Sequence, residues 1–146
     1  MKNTKQLSSM LEIALSQYGI QEIPGEAHNP EVLKYFNEIG FDGEKLGDET
    51  AWCSAFVNWC AQEAGLPYTA KLNARSWLDV GEITYDPKPG DVVVLWRSSL
   101  ESWKGHCAIY INQTDDYIYM LGGNQGNQVQ IAKYPRNRLL NYIRLS

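Results

Sequence analysis

A cysteine placed to act as a nucleophile, Cys53, stands where a polar loop turns into an apolar run with helical spacing, in the stretch GDETAWCSAFVNWCAQEAG. A thiol in the first turn of a helix lies beside unpaired backbone N–H groups and the positive end of the helix dipole, and both favour the thiolate. The same N–H groups can hold the oxyanion of a tetrahedral intermediate. The position therefore suits covalent catalysis, with a buried structural cysteine as the alternative.

A cysteine nucleophile needs a base, and the chain offers two histidines. His28 precedes the Asn-Pro start of a helix and is predicted to be a loop residue. His106 begins a predicted strand in KGHCAIYI, where Gly105 lets the backbone turn and the ring projects from the end of the sheet. By itself His106 is also explained as a partly exposed strand terminus, but its pairing with a helix-start cysteine favours the role of base.

A third group should orient the imidazole, and the spacing of a hairpin predicts which residues can take this role. The turn in INQTDDYIY centres near Asp115, so the numbers of antiparallel partners sum to about 230 or 231. His106 then lies across from Asn124 or Gln125, and either amide oxygen can accept a hydrogen bond from the ring and fix its tautomer. We expect Asn124 to take this role, with Gln125 as the alternative.

The remaining cysteines are predicted to be structural. Cys60 lies two turns further along the helix of Cys53, and Cys107 points to the strand face opposite His106. Three cysteines do not suggest a disulfide framework, and the adjacent pair of His106 and Cys107 cannot easily share one metal ion. We therefore expect neither a metal nor a cofactor.

The elements that must position these residues fall into two groups, helices first and strands second. The predicted strands are short, rich in β-branched and aromatic residues, and separated by turn residues. This order predicts an α+β domain with N-terminal helices packed on a C-terminal antiparallel sheet of about five or six strands, and not a βαβ array. No repeat or linker divides residues 1–146, so we expect one domain. The predicted helices cover about residues 7–18, 30–39, 53–64 and 73–78, and the predicted strands residues 92–96, 106–112, 117–122, 128–134 and 139–145.

Charge and hydropathy exclude some classes of partner. The net charge of −4 gives no basic footprint for nucleic acid. No apolar run approaches the roughly twenty residues that span a bilayer. The N-terminus lacks the continuous apolar core of a signal peptide, so we expect synthesis in a cytoplasm and, for any action outside it, release or export by a dedicated route.

The order of a helix-start cysteine, a strand-start histidine after a PGD turn, and then a polar residue resembles the NlpC-like and CHAP group of papain-like cysteine peptidases and amidases. The likeness spans nearly the whole chain and looks closest to small single-domain members from phages and bacterial genomes. Its most specific pieces are WCSAFVNWCAQEAG (52–65), ARSWLDVG (74–81), KPGDVVVLWR (88–97), GHCAIYI (105–111) and LGGNQGNQV (121–129).

The resemblance implies a papain-like fold and hydrolysis of peptidoglycan amide bonds, within the stem peptide or between muramic acid and L-alanine. It assigns the nucleophile to Cys53, the base to His106 and the orienting group to Asn124, then Gln125. The sequence departs from many relatives in using an amide at the third position, where they have a histidine or a carboxylate. An amide orients the ring but stabilises imidazolium less than a charge does.

Three aromatic residues are predicted to line the substrate groove, and they are Trp52, Trp103 and Tyr110. The alternative function is a non-catalytic module that binds the cell wall or a peptide on the same scaffold. For the enzyme, two settings stay open. It is either a phage lysis enzyme, whose release depends on a holin, or an exported antibacterial effector, which an immunity protein blocks.

Overall fold

The computed structural model describes residues 2–23, 29–43 and 52–145, with side chains from Ser9 onward, and His28 lies outside this part of the chain. Helices precede the sheet, as the sequence predicts. In these ranges they are α1 (Lys2–Leu15), α2 (Pro30–Asn37) and α3 (Cys53–Glu63), followed by a 3-10 turn at Ala74–Asp79.

The first turns of α2 and α3 differ in how they are capped. The Asn29 side chain caps α2 by accepting from the Glu31 N–H, and Pro30 fills the first helical position. At α3 the cap residue is Trp52, whose side chain has no oxygen that could accept, and no side chain caps this end. The first-turn N–H groups of α3 therefore lack the usual side-chain partner.

Six strands form one antiparallel sheet within the described residues. Their order across the sheet is β1-β6-β2-β3-β4-β5, and every neighbouring pair is antiparallel. A 3-10 turn at Arg136–Arg138 leads from β5 into β6. The strands are β1 (Glu82–Thr84), β2 (Val92–Trp96), β3 (Gly105–Gln113), β4 (Tyr117–Gln125), β5 (Gln128–Pro135) and β6 (Leu139–Arg144).

Each face of the sheet packs its own apolar cluster, because successive strand residues point to opposite faces. On one face Val92, Val94 and Cys107 pack with the helices. On the other, Val93 and Leu95 join a cluster made of strand residues, in which the sheet encloses its own core. The predicted α+β architecture is confirmed.

Asp91 explains the PGD turn that precedes β2. Its carboxylate is fully buried and accepts from the Lys88 N–H at 2.7 Å. Arg144, at the end of β6, donates to the same carboxylate at 2.7 Å and 3.0 Å. This bidentate ion pair fixes the start of β2 against the end of β6.

The structure also differs from the sequence prediction in places. Helix α1 ends at Leu15, before Tyr18, whose side chain is 55% exposed and lies outside the predicted buried stripe. β1 was not predicted, because its three residues are too short for a period-two pattern. β4 runs on to Gln125, three residues past the predicted end. None of the described helices combines the length and apolar character that crossing a membrane requires.

Candidate active site

Cys53 is the first residue of α3, and its thiol is buried beside two side chains of β3. The neighbouring side chains of Cys107 and His106 both lower its pKa. As the first helical residue, Cys53 also has a backbone N–H that the helix itself cannot pair. The predicted meeting of the helix-start cysteine with the strand-start histidine is therefore present in the fold.

His106 is the second residue of β3 and is almost completely buried. Its Nε2 lies 2.9 Å from Oε1 of Gln125. The ring packs against Tyr134, with 5.1 Å between the ring centroids. These contacts leave Nδ1 as the ring nitrogen available to Cys53.

The orientation of the Gln125 amide decides where the imidazole carries its proton. Its nitrogen donates to the carbonyl oxygens of Gln130 at 2.6 Å and of Met120 at 3.2 Å. Because carbonyls only accept, the amide oxygen must face His106, and Nε2 of His106 must be the donor. In the neutral ring Nδ1 then carries the lone pair, which a general base needs.

The residue that accepts the hydrogen bond from the His106 ring is Gln125, the alternative, and not Asn124. The predicted hairpin register is present, since Ile109 pairs with Leu121 and Gln113 with Ile118. The pairing of β4 with β5, however, is irregular beyond Gly122, and Asn124 takes a left-handed backbone conformation with φ 57°. This bulge turns the Gln125 side chain, instead of that of Asn124, toward the imidazole.

Two adjacent glycines in β4 make room for this arrangement. A Cβ on Gly123 would lie 2.7 Å from Cβ of Phe56 and from ring carbons of Trp52. A Cβ on Gly122 would lie 2.8 Å from Oε1 of Gln125. A residue larger than glycine at either position would take the space that the Gln125 amide and the start of α3 now occupy.

The thiol and the imidazole shift each other's pKa toward an ion pair. The hydrogen bond from Cys107, opposed by burial and reinforced by the hydrogen bond and charge of His106, holds the pKa of Cys53 well below its usual range. Burial acts to lower the pKa of His106, but the hydrogen bond and charge of Cys53, helped by Gln125, raise it. Both directions favour thiolate and imidazolium.

The other two thiols are buried and stay protonated. Burial raises the pKa of Cys60 well above its usual range, and burial together with Cys53 does the same for Cys107. Cys107 shares the helix-facing cluster with Cys53, on the strand face opposite that of His106 as predicted. Its effect on the pKa of Cys53 could not be predicted, because the sequence does not show that the start of α3 lies over two consecutive residues of β3.

Of the three predicted groove aromatics, one lies in the groove. Trp52 is fully buried, donates from Nε1 to Glu22 at 2.7 Å and stacks on Tyr35, so its predicted place in the groove is wrong. The predicted place of Tyr110 in the groove is wrong for the same reason, since its side chain is buried in the strand cluster and only 5% exposed. Trp103 is 72% exposed and lines the cleft.

A cleft of about 220 Å³ opens over the thiol and the imidazole. It continues past His106 into a second, more polar pocket of about 340 Å³, since both share Arg97, His106 and Asn124. Among the described residues, no three His, Cys, Asp or Glu side chains are grouped as metal ligands. The cleft is lined by Cys53, Leu72, Asn73, Ala74, Arg97, Trp103, Lys104, Gly105, His106 and Asn124.

One wall of the cleft is held by Arg75, which sequence reasoning missed. Its guanidinium donates to the carbonyl oxygens of Lys104 at 2.8 Å, Leu100 at 2.7 Å and Ser99 at 2.8 Å. All three acceptors lie in the loop between β2 and β3, which carries Trp103. Arg75 thus fixes the shape of that loop from the 3-10 turn opposite.

The opposite wall is held by a buried amide in α3. Asn58 accepts from the Ala70 N–H at 2.7 Å and donates to the Lys71 carbonyl at 3.1 Å. Ser54 donates to the same carbonyl at 2.7 Å. These bonds tie the segment before Leu72 to the helix that begins with the nucleophile.

Comparison with known proteins finds a matching family model and a solved structure of similar fold. A CHAP domain family model matches residues 45–124, more than half of the chain, a range that includes Cys53, His106 and Asn124 and ends just before Gln125. No curated protein matches the chain in a sequence search.

A solved structure from Staphylococcus aureus subsp. aureus Mu50, described as similar to a lipoprotein of the NLP/P60 family, shares the fold with a TM-score of 0.55 and 17% identity. The likeness covers 96% of this chain and 41% of that one, so the chain spans about two fifths of that protein. The CHAP match points to a family of peptidases and amidases. The chain belongs to the CHAP family.

Proposed function

We propose that the chain is a cysteine hydrolase that cleaves amide bonds of peptidoglycan, within the stem peptide or between muramic acid and L-alanine. The observation that carries the proposal is the chain of contacts from Cys53 through His106 to Gln125 at the bottom of an open cleft. A module that only binds peptide has no use for a thiol whose pKa is held low.

In the acylation step, the Cys53 thiolate attacks the carbonyl carbon of the amide. The electron pair of the C=O bond moves to oxygen, and the Cys53 backbone N–H stabilises this oxyanion. As the oxyanion collapses, the C–N bond breaks and Nδ1–H of His106 protonates the departing nitrogen. The products are a free amine and a thioester on Cys53.

In the deacylation step, neutral His106 removes a proton from water through Nδ1, and the resulting hydroxide attacks the thioester carbonyl. Collapse of the second oxyanion releases the carboxylic acid and restores the Cys53 thiolate. Gln125 accepts the Nε2–H throughout, so the ring presents the same nitrogen in both steps.

Digestion of purified peptidoglycan, followed by mass spectrometry of the soluble products, tests the proposal. Wild-type protein should release fragments with one new amine and one new carboxyl group, and the identity of those groups gives the bond. Cys53→Ala should fold normally and release none. Cys60→Ala is the matched control, since it removes a buried thiol outside the cleft.

New reducing sugar ends, or full activity in Cys53→Ala, would contradict the proposal. Binding to peptidoglycan without any release by wild-type protein would support the non-catalytic module instead.

A further inference from the structure

The pocket beyond His106 is strongly cationic. It is lined by Arg97, His106, Asn124, Asn127, Tyr134 and Arg138, with two guanidinium groups and no carboxylate among them. The whole chain has a net charge of −4, so this pocket concentrates positive charge on an otherwise acidic protein.

Arg138 is held in place without an acidic partner. Its Nε and Nη2 donate to the Trp96 carbonyl at 3.1 Å and 3.0 Å. Its guanidinium also packs over the rings of Trp96 and Tyr134, at 5.7 Å and 5.9 Å from their centroids. Within the described part of the chain, neither Arg138 nor Arg97 belongs to an ion pair.

Arg97 brings the second positive charge. It directly follows β2, is exposed, and lines both the cleft over Cys53 and the pocket beyond His106. Its charge acts on His106, where it opposes the rise in pKa, so it lies close to the base. The side chains of Asn127 and Tyr134 add neutral hydrogen-bond donors to the same pocket.

We propose that Arg97 and Arg138, with Asn127 and Tyr134, form a subsite that binds a carboxylate of the substrate next to the amide being cleaved. This inference rests on the proposed hydrolysis of peptide amide bonds at Cys53. A guanidinium pairs with a carboxylate through two parallel hydrogen bonds, whereas a carboxamide offers one acceptor and no charge. The subsite therefore selects acidic over amidated peptides.

A stem peptide presents carboxylates from two sources, an internal residue and the C-terminus. The pocket shares Arg97, His106 and Asn124 with the cleft over Cys53, so we assign it to an internal carboxylate near the cleaved bond.

The test compares three synthetic stem peptides, namely the free acid, the peptide with its internal carboxyl group amidated, and the peptide with its C-terminus amidated. Wild-type protein should cleave the internally amidated peptide with a kcat/KM about tenfold lower or more, from the loss of one charge-assisted pair. Amidation of the C-terminus should change kcat/KM little. The reverse ranking would assign the pocket to the terminal carboxylate and overturn the internal assignment.

Arg97→Gln is the main variant, since its side chain is exposed and makes no hydrogen bond among the described residues. Its loss of kcat/KM should be about tenfold larger on the free acid than on the internally amidated peptide. Arg138→Gln should act the same way, with a thermal melt to check its folding. Lys88→Gln, at the other end of β2, is the matched control that removes one positive charge outside the groove.

Equal losses on both peptides in Arg97→Gln, or equal cleavage of both by wild-type protein, would overturn the subsite. Calorimetric binding of the same peptides to Cys53→Ala separates this inference from the proposed function. If wild-type protein cleaves nothing, the hydrolase proposal fails, while tighter binding of the free acid than of the internally amidated peptide still supports the subsite. Equal binding would refute it.

Discussion

The ionisation of one thiol depends on three neighbouring side chains. The Cys107 side chain lowers the pKa of Cys53, His106 supplies the opposite charge, and Gln125 fixes the ring that carries it. Gln125 is itself fixed by two backbone carbonyls, so it has one orientation with every polar atom satisfied. The site is therefore preorganised before substrate binds.

Replacing Gln125 should harm catalysis more than replacing Asn124. Gln125→Ala leaves the buried Nε2–H of His106 without its acceptor, and we expect kcat to fall on the order of 10²-fold. Asn124→Ala keeps that bond and should retain most of kcat. Steady-state kinetics on a released stem peptide measure kcat of both variants. An unchanged kcat in Gln125→Ala together with a large loss of kcat in Asn124→Ala would contradict the assignment.

Cys107 should tune the nucleophile, while Cys60 should not. Cys107→Ala removes the neighbouring thiol that lowers the pKa of Cys53, so this pKa should rise and alkylation of Cys53 below neutral pH should slow about tenfold. Cys107→Ser keeps a donor and should restore much of the rate. Cys60→Ala is the control, and it should leave alkylation of Cys53 unchanged. An equal effect of Cys107→Ala and Cys60→Ala on the alkylation rate would mean that the Cys107 thiol does not lower the pKa of Cys53.

How far the site could be predicted from sequence depends on the residue. Cys53 and His106 each stand at a boundary that local sequence marks, so their positions were predictable. Asn124 and Gln125 are neighbours in the sequence. Which of them accepts from His106 depends on a bulge that shifts the side chains of β4. Hairpin spacing alone does not reveal a bulge beyond the paired region.

At the scale of elements, the start of α3 must lie directly against β4. Gly123 permits this approach, because it leaves room for Phe56 and Trp52. The helices and the main strands were predictable from their periodicity and their Gly, Pro and Asn boundaries. β1 was not, since a three-residue edge strand carries too little pattern.

Gly123→Ala should move the nucleophile away from the base. The added methyl group would lie 2.7 Å from Phe56, so α3 must shift or strain must accumulate. We expect the free energy of unfolding to fall by about 1–3 kcal/mol and alkylation of Cys53 at acidic pH to slow. Chemical denaturation and thiol labelling measure the two effects, and wild-type behaviour in both would show that the close contact is not needed.

Arg75 should act on substrate binding through the loop between β2 and β3. Arg75→Ala removes three hydrogen bonds to loop carbonyls, so the wall that carries Trp103 loses its support. We expect KM to rise several-fold, with the pH dependence of Cys53 alkylation unchanged because the thiol's own contacts remain. A fall in kcat with unchanged KM would contradict this role.

At the scale of the whole molecule, the sheet has two packed faces, and the proposed catalytic groups meet between them at the start of β3. The helix-facing cluster supplies Cys53 and Cys107, and His106 lies on the opposite face of the strand. The positive charge of the groove could not be predicted from a net charge of −4, because it arises only when β2 and the turn after β5 are brought together.

The central claim is that Cys53 is a thiolate paired with imidazolium and that this thiolate does the chemistry. Its most direct test is iodoacetamide labelling of the folded protein across a pH series, with peptide mapping of each cysteine and residual hydrolysis of peptidoglycan measured on the same samples. Because the pKa of Cys53 is lowered and those of Cys60 and Cys107 are raised, Cys53 alone should react below neutral pH, and hydrolysis should fall in proportion to its labelling. Labelling of Cys60 or Cys107 first, or hydrolysis that survives complete labelling of Cys53, would contradict the account.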